Sequence, residues 1–296
     1  MTPPLGIALV VIALIDITLT LFAPSLRGRL SSTVGHGVWR AMQPLARRVA
    51  VVRELVGALT FLAVLFSWGA LVIVGFALIY WPFIPEGFLV DFGADLNRSG
   101  TAEFITALYL SMVSMSTLGF GDIVPDDDWL RIIVPLEAMV GFALLTGVIS
   151  WILSIGPALA RRRVLAQRIT LMRNAERDVG GGIGHAWDAE SLEDALREFA
   201  RELVAIHSDL LQLPITYYFR DARSETDLAA ALPYLLYLAR REQARTLERP
   251  TALQTQAVML EEAINAYLRL VAARFLRLDP DLEREAIIQA YVRDFG

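Results

Sequence analysis

Three long apolar segments constrain this chain more than any other feature of its sequence. They are residues 5–23, interrupted only by Asp16, residues 55–83, which carry no charge, and residues 132–159, interrupted only by Glu137. A helix needs about 20 apolar residues to cross the roughly 30 Å hydrocarbon core of a bilayer. Because a backbone in lipid must satisfy its hydrogen bonds internally, the sequence predicts an all-α membrane protein in contact with the lipid bilayer.

Charge in the connecting segments predicts an orientation. Residues 24–54 carry six arginines and one acid, residues 161–175 carry five arginines and no acid, and residues 84–131 carry eight acids and two arginines. The positive-inside rule then places residues 24–54 and everything after residue 160 in the cytoplasm, and residues 84–131 outside. The sequence therefore predicts a multi-pass protein of the cell (inner or plasma) membrane, with its N-terminus outside and its C-terminal domain cytoplasmic.

The N-terminal part is divided into a transmembrane helix over residues 1–23 and an amphipathic cytoplasmic segment over residues 24–54. A signal peptide is the alternative for the first, but no basic residue precedes its apolar run and no clear cleavage site follows. Asp16 either marks an ion path or is a structural acid, one that pairs with a polar group on a neighbouring helix or lies near the membrane interface, and the structural role is favoured. The amphipathic segment is expected to lie on the inner membrane surface, with Trp39 at the headgroups and a kink or break at Pro44. Its apolar stripe comprises Val38, Met42, Leu45, Val49 and Val52.

A short apolar stretch between the second and third spans has a different character. Residues 104–115 are too few to cross a bilayer, so they favour a re-entrant helix. The loop that follows contains Gly119 and Gly121 at alternate positions. Glycine tolerates φ > 0, which is needed to turn successive carbonyls towards one axis. Such carbonyls can replace the water around a cation, and the helix C-terminus adds favourable negative charge.

These residues resemble a known family. Thr117-Leu-Gly-Phe-Gly-Asp122 resembles the Thr-x-Gly-(Tyr/Phe)-Gly-Asp signature of the potassium channel pore family, of the prokaryotic type with two transmembrane helices and a pore loop, and residues 107–116 resemble its pore helix. The resemblance implies a pore module over residues 55–160. Its parts are an outer helix (55–83), a pore helix (101–116), a selectivity filter (117–122) and an inner helix (132–159).

The family's functional residues can be placed one by one. The resemblance implies that K⁺, the permeant ion, is bound at Thr117, Leu118, Gly119 and Phe120, with Gly121 completing the filter. Asp122 is expected to support the filter at the outer mouth, where Asp126, Asp127 and Asp128 extend the negative field. One filter segment per chain implies a homotetramer, because a ring of four needs four chains. No other cofactor is expected.

Two departures from the family pattern leave alternatives open. Phe120 replaces the commoner tyrosine, and Val113 stands where some members carry a carboxylate behind the filter. A weakly selective cation channel is therefore an alternative to a potassium-selective one. A membrane signalling protein with a vestigial pore is a third interpretation.

The inner helix contains the gate candidates. Gly141 and Gly147 either act as hinges or allow close helix packing. If Gly141 takes the family's hinge position, Phe142, Leu145 and Ile149 lie on or near the pore side, where rings of apolar side chains can gate by dewetting. Glu137 is expected to be buried and hydrogen-bonded against the pore helix.

After the inner helix we predict a basic linker over residues 161–185, whose residues 161–174 continue the inner helix, and a helical regulatory domain over residues 186–296. A helix is expected to begin at Ser191, with Asp194 in a capping box. The aromatic turn at residues 213–220 either binds a ligand or neighbouring subunit, or folds onto the helices. The sequence contains no cysteine and no recognisable set of catalytic residues, so we do not predict an enzyme. Its net charge is −5, so we do not predict a nucleic-acid-binding protein either. An unknown ligand of this domain is a possible gating stimulus.

Overall fold

The computed structural model describes residues 2–22, 28–46, 48–90, 100–179, 187–220, 224–244 and 251–295. Its helices are α1 (Thr2–Phe22), α2 (Arg29–Ala46), α3 (Ala50–Tyr80), α4 (Gly100–Met115), α5 (Leu130–Val179), α6 (Ala189–Gln212), α7 (Leu228–Gln243), α8 (Ala252–Val271) and α9 (Arg284–Phe295). Two short strands, β1 (Phe88–Val90) and β2 (Ile123–Pro125), pair in one antiparallel sheet.

The predicted fold class, an all-α membrane protein, is confirmed, because helices make up most of the described residues. Within the described residues, three helices are long and apolar enough to cross a membrane: α1, α3 with the turn after it, and α5. Helix α4 is apolar but only 16 residues long. The bounds of α3, α4 and α5 contain most of the predicted outer, pore and inner helices, although α3 begins earlier than expected and α5 ends later.

The chain forms two compact units. The first comprises Met1–Gly37 and Phe61–Ser154, and the second comprises Val38–Thr60 and Ile155–Gly296. In the first unit, α1, α3, α4 and α5 share a core that includes Val10, Val72, Leu110 and Leu130. Helix α1 approaches α3 so closely that a methyl group on Gly6 would lie 2.4 Å from the carbonyl oxygen of Gly75. Small residues at this crossing therefore place α1 directly against the outer helix.

Asp16 is a buried structural acid of the first unit. Its side chain accepts hydrogen bonds from the backbone amides of Leu30 and Ser31, at 2.9 and 3.1 Å, and from Trp68 Nε1 at 2.9 Å. The two amides belong to the first turn of α2, where helix N–H groups lack intrahelical partners and favour negative charge. The favoured interpretation is confirmed, because Asp16 of α1 pairs with polar groups of both α2 and α3.

The pairing of β1 with β2 was not predicted from the sequence. Phe88 lies opposite Pro125 and Val90 opposite Ile123, so the segment after α3 pairs with the segment that follows residue 122. The amide of Asp126 continues this contact by donating to the carbonyl of Gly87 at 2.9 Å. Each strand has three residues, too few for a recognisable alternation, and their pairing is a long-range contact.

Helix α5 covers the first part of the basic linker predicted over residues 161–185, as expected for residues 161–174. Helix α5 is continuous to Val179, because its arginines alternate with an apolar face on which Leu165 and Ile169 are almost completely buried. Arg161 forms an ion pair with Asp209 of α6 at 2.7 Å. The rest of the predicted linker, residues 180–185, lies outside the described residues.

Two expectations are corrected in the second unit. Helix α6 begins at Ala189, since Asp188 is the N-cap and accepts from the Ser191 amide at 2.7 Å.

Trp39 is 4% exposed and packs against Tyr217 and Tyr218, at ring distances of 5.9 and 5.4 Å, instead of anchoring at headgroups. Aromatic side chains that are distant in sequence enclose the indole, whereas the predicted stripe residues Leu45 and Val49 stay exposed. Helix α2 ends two residues after Pro44, and α3 begins at Ala50.

Candidate ion-conduction site

The site begins where helix α4 ends. The last turn is closed by backbone bonds from Thr117 to Ser114, at 2.9 Å, and from Leu118 to Val113, at 3.1 Å. These bonds use carbonyls that the helix itself leaves without partners. They direct the chain out of the helix at Thr117, the first residue of the predicted filter.

The backbone angle φ is positive at every second residue of the segment 117–121. Thr117, Gly119 and Gly121 have φ of 58°, 57° and 78°, whereas Leu118 and Phe120 are not in the positive-φ region. Residues of positive φ at every second position turn successive carbonyls towards the same side, whereas an ordinary strand alternates their directions. Two of the three left-handed positions are glycines, as predicted. The third, Thr117, was not predicted and is costly for a β-branched residue.

Asp122 holds the end of this segment. Tyr109 of α4 donates a hydrogen bond from its hydroxyl to Asp122 Oδ2 at 2.6 Å, and the amide of Ile123 donates to Oδ1 at 3.1 Å. The aspartate thus links the pore helix to the first residue of β2. Tyr109 was missed by the sequence reading. Its signal is an aromatic residue with a polar tip inside an apolar helix, a type that usually finds a partner when buried.

Glu137 is the second anchor of the site and is completely buried. It accepts hydrogen bonds from Tyr80 of α3, at 2.7 Å, and from Ser111 of α4. One carboxyl group on α5 therefore joins the outer, pore and inner helices. The expectation that Glu137 is buried and hydrogen-bonded against the pore helix is confirmed, while Tyr80 and Ser111 were not identified from the sequence.

The acidic segment at residues 126–131 is less negative than its composition suggests. Arg131 lies 3.4 Å from Asp126 and 3.6 Å from Asp128, so it offsets part of their charge. All three side chains are more than half exposed, and such pairs contribute little to stability. Asp127 contacts the loop at Gly87, where an added Cβ would lie 3.1 Å from its Oδ2.

The two glycines of the inner helix that were predicted as hinge candidates both lie at contacts. An added Cβ on Gly141 would lie 2.0 Å from the carbonyl oxygen of Met115, and one on Gly147 would lie 3.2 Å from Leu21 Cδ1. Helix α5 passes through both positions without interruption. Close packing against the end of the pore helix is therefore the observed role of Gly141, and a hinge at either position stays a prediction.

Three apolar side chains follow Gly141 on one face of α5. Phe142, Leu145 and Ile149 are 64%, 58% and 51% exposed, although each is large and apolar. Their spacing of three and four residues places them one above another. A large apolar face of this kind is available to a pore, to lipid or to another copy of the chain.

The aromatic turn belongs to the second unit and folds onto its helices. Asp294 accepts from Gln43 at 2.7 Å, from Tyr217 at 2.6 Å and from Trp39 at 3.4 Å. The guanidinium of Arg220 lies 4.1 Å from the Trp39 ring. We call these five residues the Asp294 cluster. It joins α2, the turn at Pro214–Tyr218 and α9.

Two transmembrane helices also reach this turn. Arg162 of α5 donates to the carbonyl of Thr216 at 2.8 Å and to that of Phe219. On α3, an added Cβ at Gly57 would lie 2.6 Å from the Phe219 ring. The turn is thus one place where residues of both α3 and α5 meet within the second unit.

Comparisons with known proteins agree with this arrangement. Residues 68–155 match a family model described as "Ion channel", and this range contains α4, residues 117–122 and the Glu137 anchor. The chain is 22% identical over 238 residues to an uncharacterized membrane protein, YdjJ, of Bacillus subtilis (strain 168). That alignment covers 78% of this chain and 66% of the relative. No solved structure matches the chain. The matched segment supports an ion channel family and an ion channel activity for this membrane protein.

Proposed function

We propose that this protein is one subunit of a potassium-selective channel in a cell membrane, with four copies arranged around one axis. The observation that carries the proposal is the positive φ at alternate residues, Thr117, Gly119 and Gly121. In a ring of four, it directs the carbonyls of residues 117–120 and the Thr117 hydroxyl towards the axis. A potassium ion can then exchange its water shell for these oxygens.

Selective conduction requires that the ring keeps its shape, because a ring that collapses or widens no longer replaces the hydration shell. Phe120 lacks the hydroxyl that a tyrosine would offer. The bond from Tyr109 to Asp122 supplies a different fixed point at the end of the filter. Glu137 fixes the pore helix from its other side, through Tyr80 and Ser111.

The inner helix is the proposed gate. Four copies of Phe142, Leu145 and Ile149 would form rings around the ion path, and an apolar constriction can exclude water without closing completely. Replacing Leu145 or Ile149 with asparagine is expected to retain water in the constriction and raise basal potassium flux. Unaltered flux in both variants would place the gate elsewhere.

The second unit is the proposed regulator, on the cytoplasmic side. Helices α3 and α5 each contribute residues to both units. Arg162 and Gly57 connect these two helices to the aromatic turn, and the Asp294 cluster connects the turn to α2 and α9. A change in the second unit therefore has a chain of direct contacts by which to bias the inner helix.

A weakly selective cation channel is the second candidate. It is favoured by Val113, which is 8% exposed and offers no carboxylate behind the filter. The helix of residues 107–116 then relies on Ser111 as its polar link to Glu137. Filters with fewer fixed points are expected to discriminate less between K⁺ and Na⁺.

The test is a measurement of reversal potentials on the purified full-length protein in planar bilayers, under opposed potassium and sodium gradients. The potassium channel proposal expects the reversal potential to follow the potassium gradient and barium to block the current. A potential that responds equally to both gradients would establish the weakly selective alternative. Absence of any current in protein confirmed as a tetramer would favour a signalling protein with a vestigial pore.

A further inference from the structure

A groove lies between α7 and α9 in the second unit, apart from every contact used above. Its volume is about 830 Å³. Leu236 and Ile288 are almost buried beneath it, while Tyr237 and Val292 are 48% and 37% exposed along its sides. Small-molecule sites typically have volumes of about 300–1,000 Å³, an apolar lining and a few polar groups. The groove has the size and lining of a ligand site.

Charge is distributed unequally along this groove. Arg240 forms ion pairs with both Glu285 and Glu261, and Arg241 pairs with Glu242. Arg293 differs, since among the described residues it forms no ion pair and donates only from Nε, to the carbonyl of Gln289.

Arg293 thus has a guanidinium that no acid neutralises within the described part of the chain. It lies eight residues beyond Glu285 on the same helix, or about 12 Å along the axis. The groove therefore has an apolar floor with a neutralised ion pair towards one end and a cation towards the other.

We propose that the α7–α9 groove binds an anionic amphiphile, a carboxylate on a single alkyl chain. The carboxylate pairs with Arg293, since a guanidinium matches the two carboxylate oxygens in a bidentate contact. The alkyl chain lies along Leu236, Tyr237, Ile288 and Val292 and removes their exposed apolar surface from water. A neutral apolar ligand would leave Arg293 without a carboxylate, and a small anion would leave the floor exposed.

The position of the groove connects it to regulation, a step that rests on the proposed channel function. Arg293 is adjacent in sequence to Asp294, whose carboxylate holds Trp39, Gln43 and Tyr217. A ligand seated against one face of α9 and the Asp294 cluster on another act on the same last turn of one helix. The ligand is therefore placed to change the contact between α9 and α2.

The first experiment measures equilibrium binding of radiolabelled decanoate to the full-length protein in nanodiscs, with empty nanodiscs to subtract partitioning into lipid. We expect saturable binding that Arg293→Gln weakens by about tenfold, the effect of losing one charged hydrogen bond. Arg201→Gln, at an exposed arginine on α6, is the matched control and should leave the affinity unchanged. Absence of saturable binding, or equal affinity in the wild type and Arg293→Gln, would overturn the proposal.

The second experiment uses the absence of cysteine from this chain. A single Val292→Cys substitution introduces a thiol at the groove, and Val258→Cys introduces one on α8, at a residue that is 49% exposed. Decanoate should slow maleimide modification at position 292 and not at 258, while acetate and decanol should protect neither. Protection by decanol equal to that by decanoate would overturn the role of the carboxylate. Disulfide-linked pairs formed through position 292 would overturn the proposal by assigning the groove to a second copy of the chain.

A flux measurement on the same preparations separates the two proposals. If potassium-selective flux is present and decanoate does not bind, the groove assignment is wrong and the channel proposal stands. If decanoate binds through Arg293 and no potassium flux is found, the channel proposal is wrong and the site stands. Where both hold, decanoate should change the flux of the wild type and have a much smaller effect on Arg293→Gln.

Discussion

Backbone conformation determines the structure of residues 117–121, whereas side-chain contacts determine that of the Asp294 cluster. In the first, backbone angles carry the arrangement, and the side chains of Leu118 and Phe120 are 60% and 64% exposed. In the second, the backbone is mostly ordinary helix, and side-chain hydrogen bonds and aromatic rings hold the elements together.

This contrast predicts which substitutions matter in each region. A methyl group added to the filter backbone is expected to be more harmful than the loss of a filter side chain. In the Asp294 cluster the reverse holds, since removal of one acceptor leaves several donors without a partner. The two regions should also differ in what they control, with ion selectivity in the first and the probability of opening in the second.

The largest effect is expected from Gly119→Ala. Its φ of 57° is costly for any residue with a Cβ, by about 1–2 kcal/mol in each subunit, and four subunits share the ring. We expect potassium-selective flux to be lost while the protein still assembles. Gly69→Ala on α3, where an added Cβ has nothing within 4 Å, is the control and should conduct normally. Undiminished selective flux in Gly119→Ala would show that residues 117–121 are not the filter.

Glu137→Leu is expected to destabilise the first unit, because the buried hydroxyl of Tyr80 would lose its acceptor, while Ser111 would keep only the carbonyl of Ile73. Each buried donor without a partner costs about 1–3 kcal/mol. Glu137→Gln retains an acceptor oxygen and should lose less stability. Thermal unfolding in detergent measures both, and equal stability of the two variants would contradict the role of Glu137 as a hydrogen-bonded anchor.

Asp294→Ala tests the second region. Gln43, Tyr217 and Trp39 would lose a shared acceptor, so the contact of α9 with α2 should weaken. We expect single-channel recordings to show a changed open probability with an unchanged ratio of potassium to sodium permeability. A shift in that ratio as large as the one produced by filter substitutions would remove the functional distinction between the two regions.

Tyr109→Phe sharpens the comparison within the filter. It removes one hydrogen bond to Asp122 and keeps the ring, so the backbone angles of residues 117–121 should persist. We expect a smaller unitary current or a less stable conducting state, with potassium selectivity retained. Asp122→Asn keeps an acceptor for Tyr109 and should reduce current mainly through the lost charge at the mouth. If Tyr109→Phe abolished selectivity as completely as Gly119→Ala, side-chain support would matter as much as backbone geometry.

The smallest effect is expected from the cap of α6. The hydrogen bond from Ser191 lowers the pKa of the exposed Asp188 carboxyl below its usual value of 3.8. A group with a lowered folded-state pKa stabilises above its unfolded pKa, and this contribution disappears as pH falls through the lowered value. Asp188→Ala should therefore lower the melting temperature slightly at pH 7, with the difference from wild type vanishing in strong acid. Asp188→Asn, a good neutral cap, should retain most of the stability at both pH values.

Much of the first unit could be predicted because its determinants are local. Hydropathy over about 20 residues predicts a membrane helix without knowledge of its neighbours, and the spans of α1, α3 and α5 followed from it. Gly119 and Gly121 were likewise expected at φ > 0, since glycine at alternate positions is a property of the segment itself. The left-handed Thr117 was not expected, because a β-branched residue adopts that conformation only when its surroundings impose it.

The links between helices that sequence alone did not predict depend on partners distant in the chain. Glu137 was expected to be buried, yet its link to Tyr80 became visible only when α3 and α5 were placed side by side. The indole of Trp39 suits a headgroup layer and an aromatic cluster equally well. In the structure it packs in a cluster with Tyr217, Tyr218 and Arg220. Amino-acid order is enough to show which segments are apolar enough to enter a membrane and which residues tolerate an unusual backbone. Where each polar group finds its partner depends on the folded arrangement, because a buried donor or acceptor must be satisfied by whatever lies beside it in space.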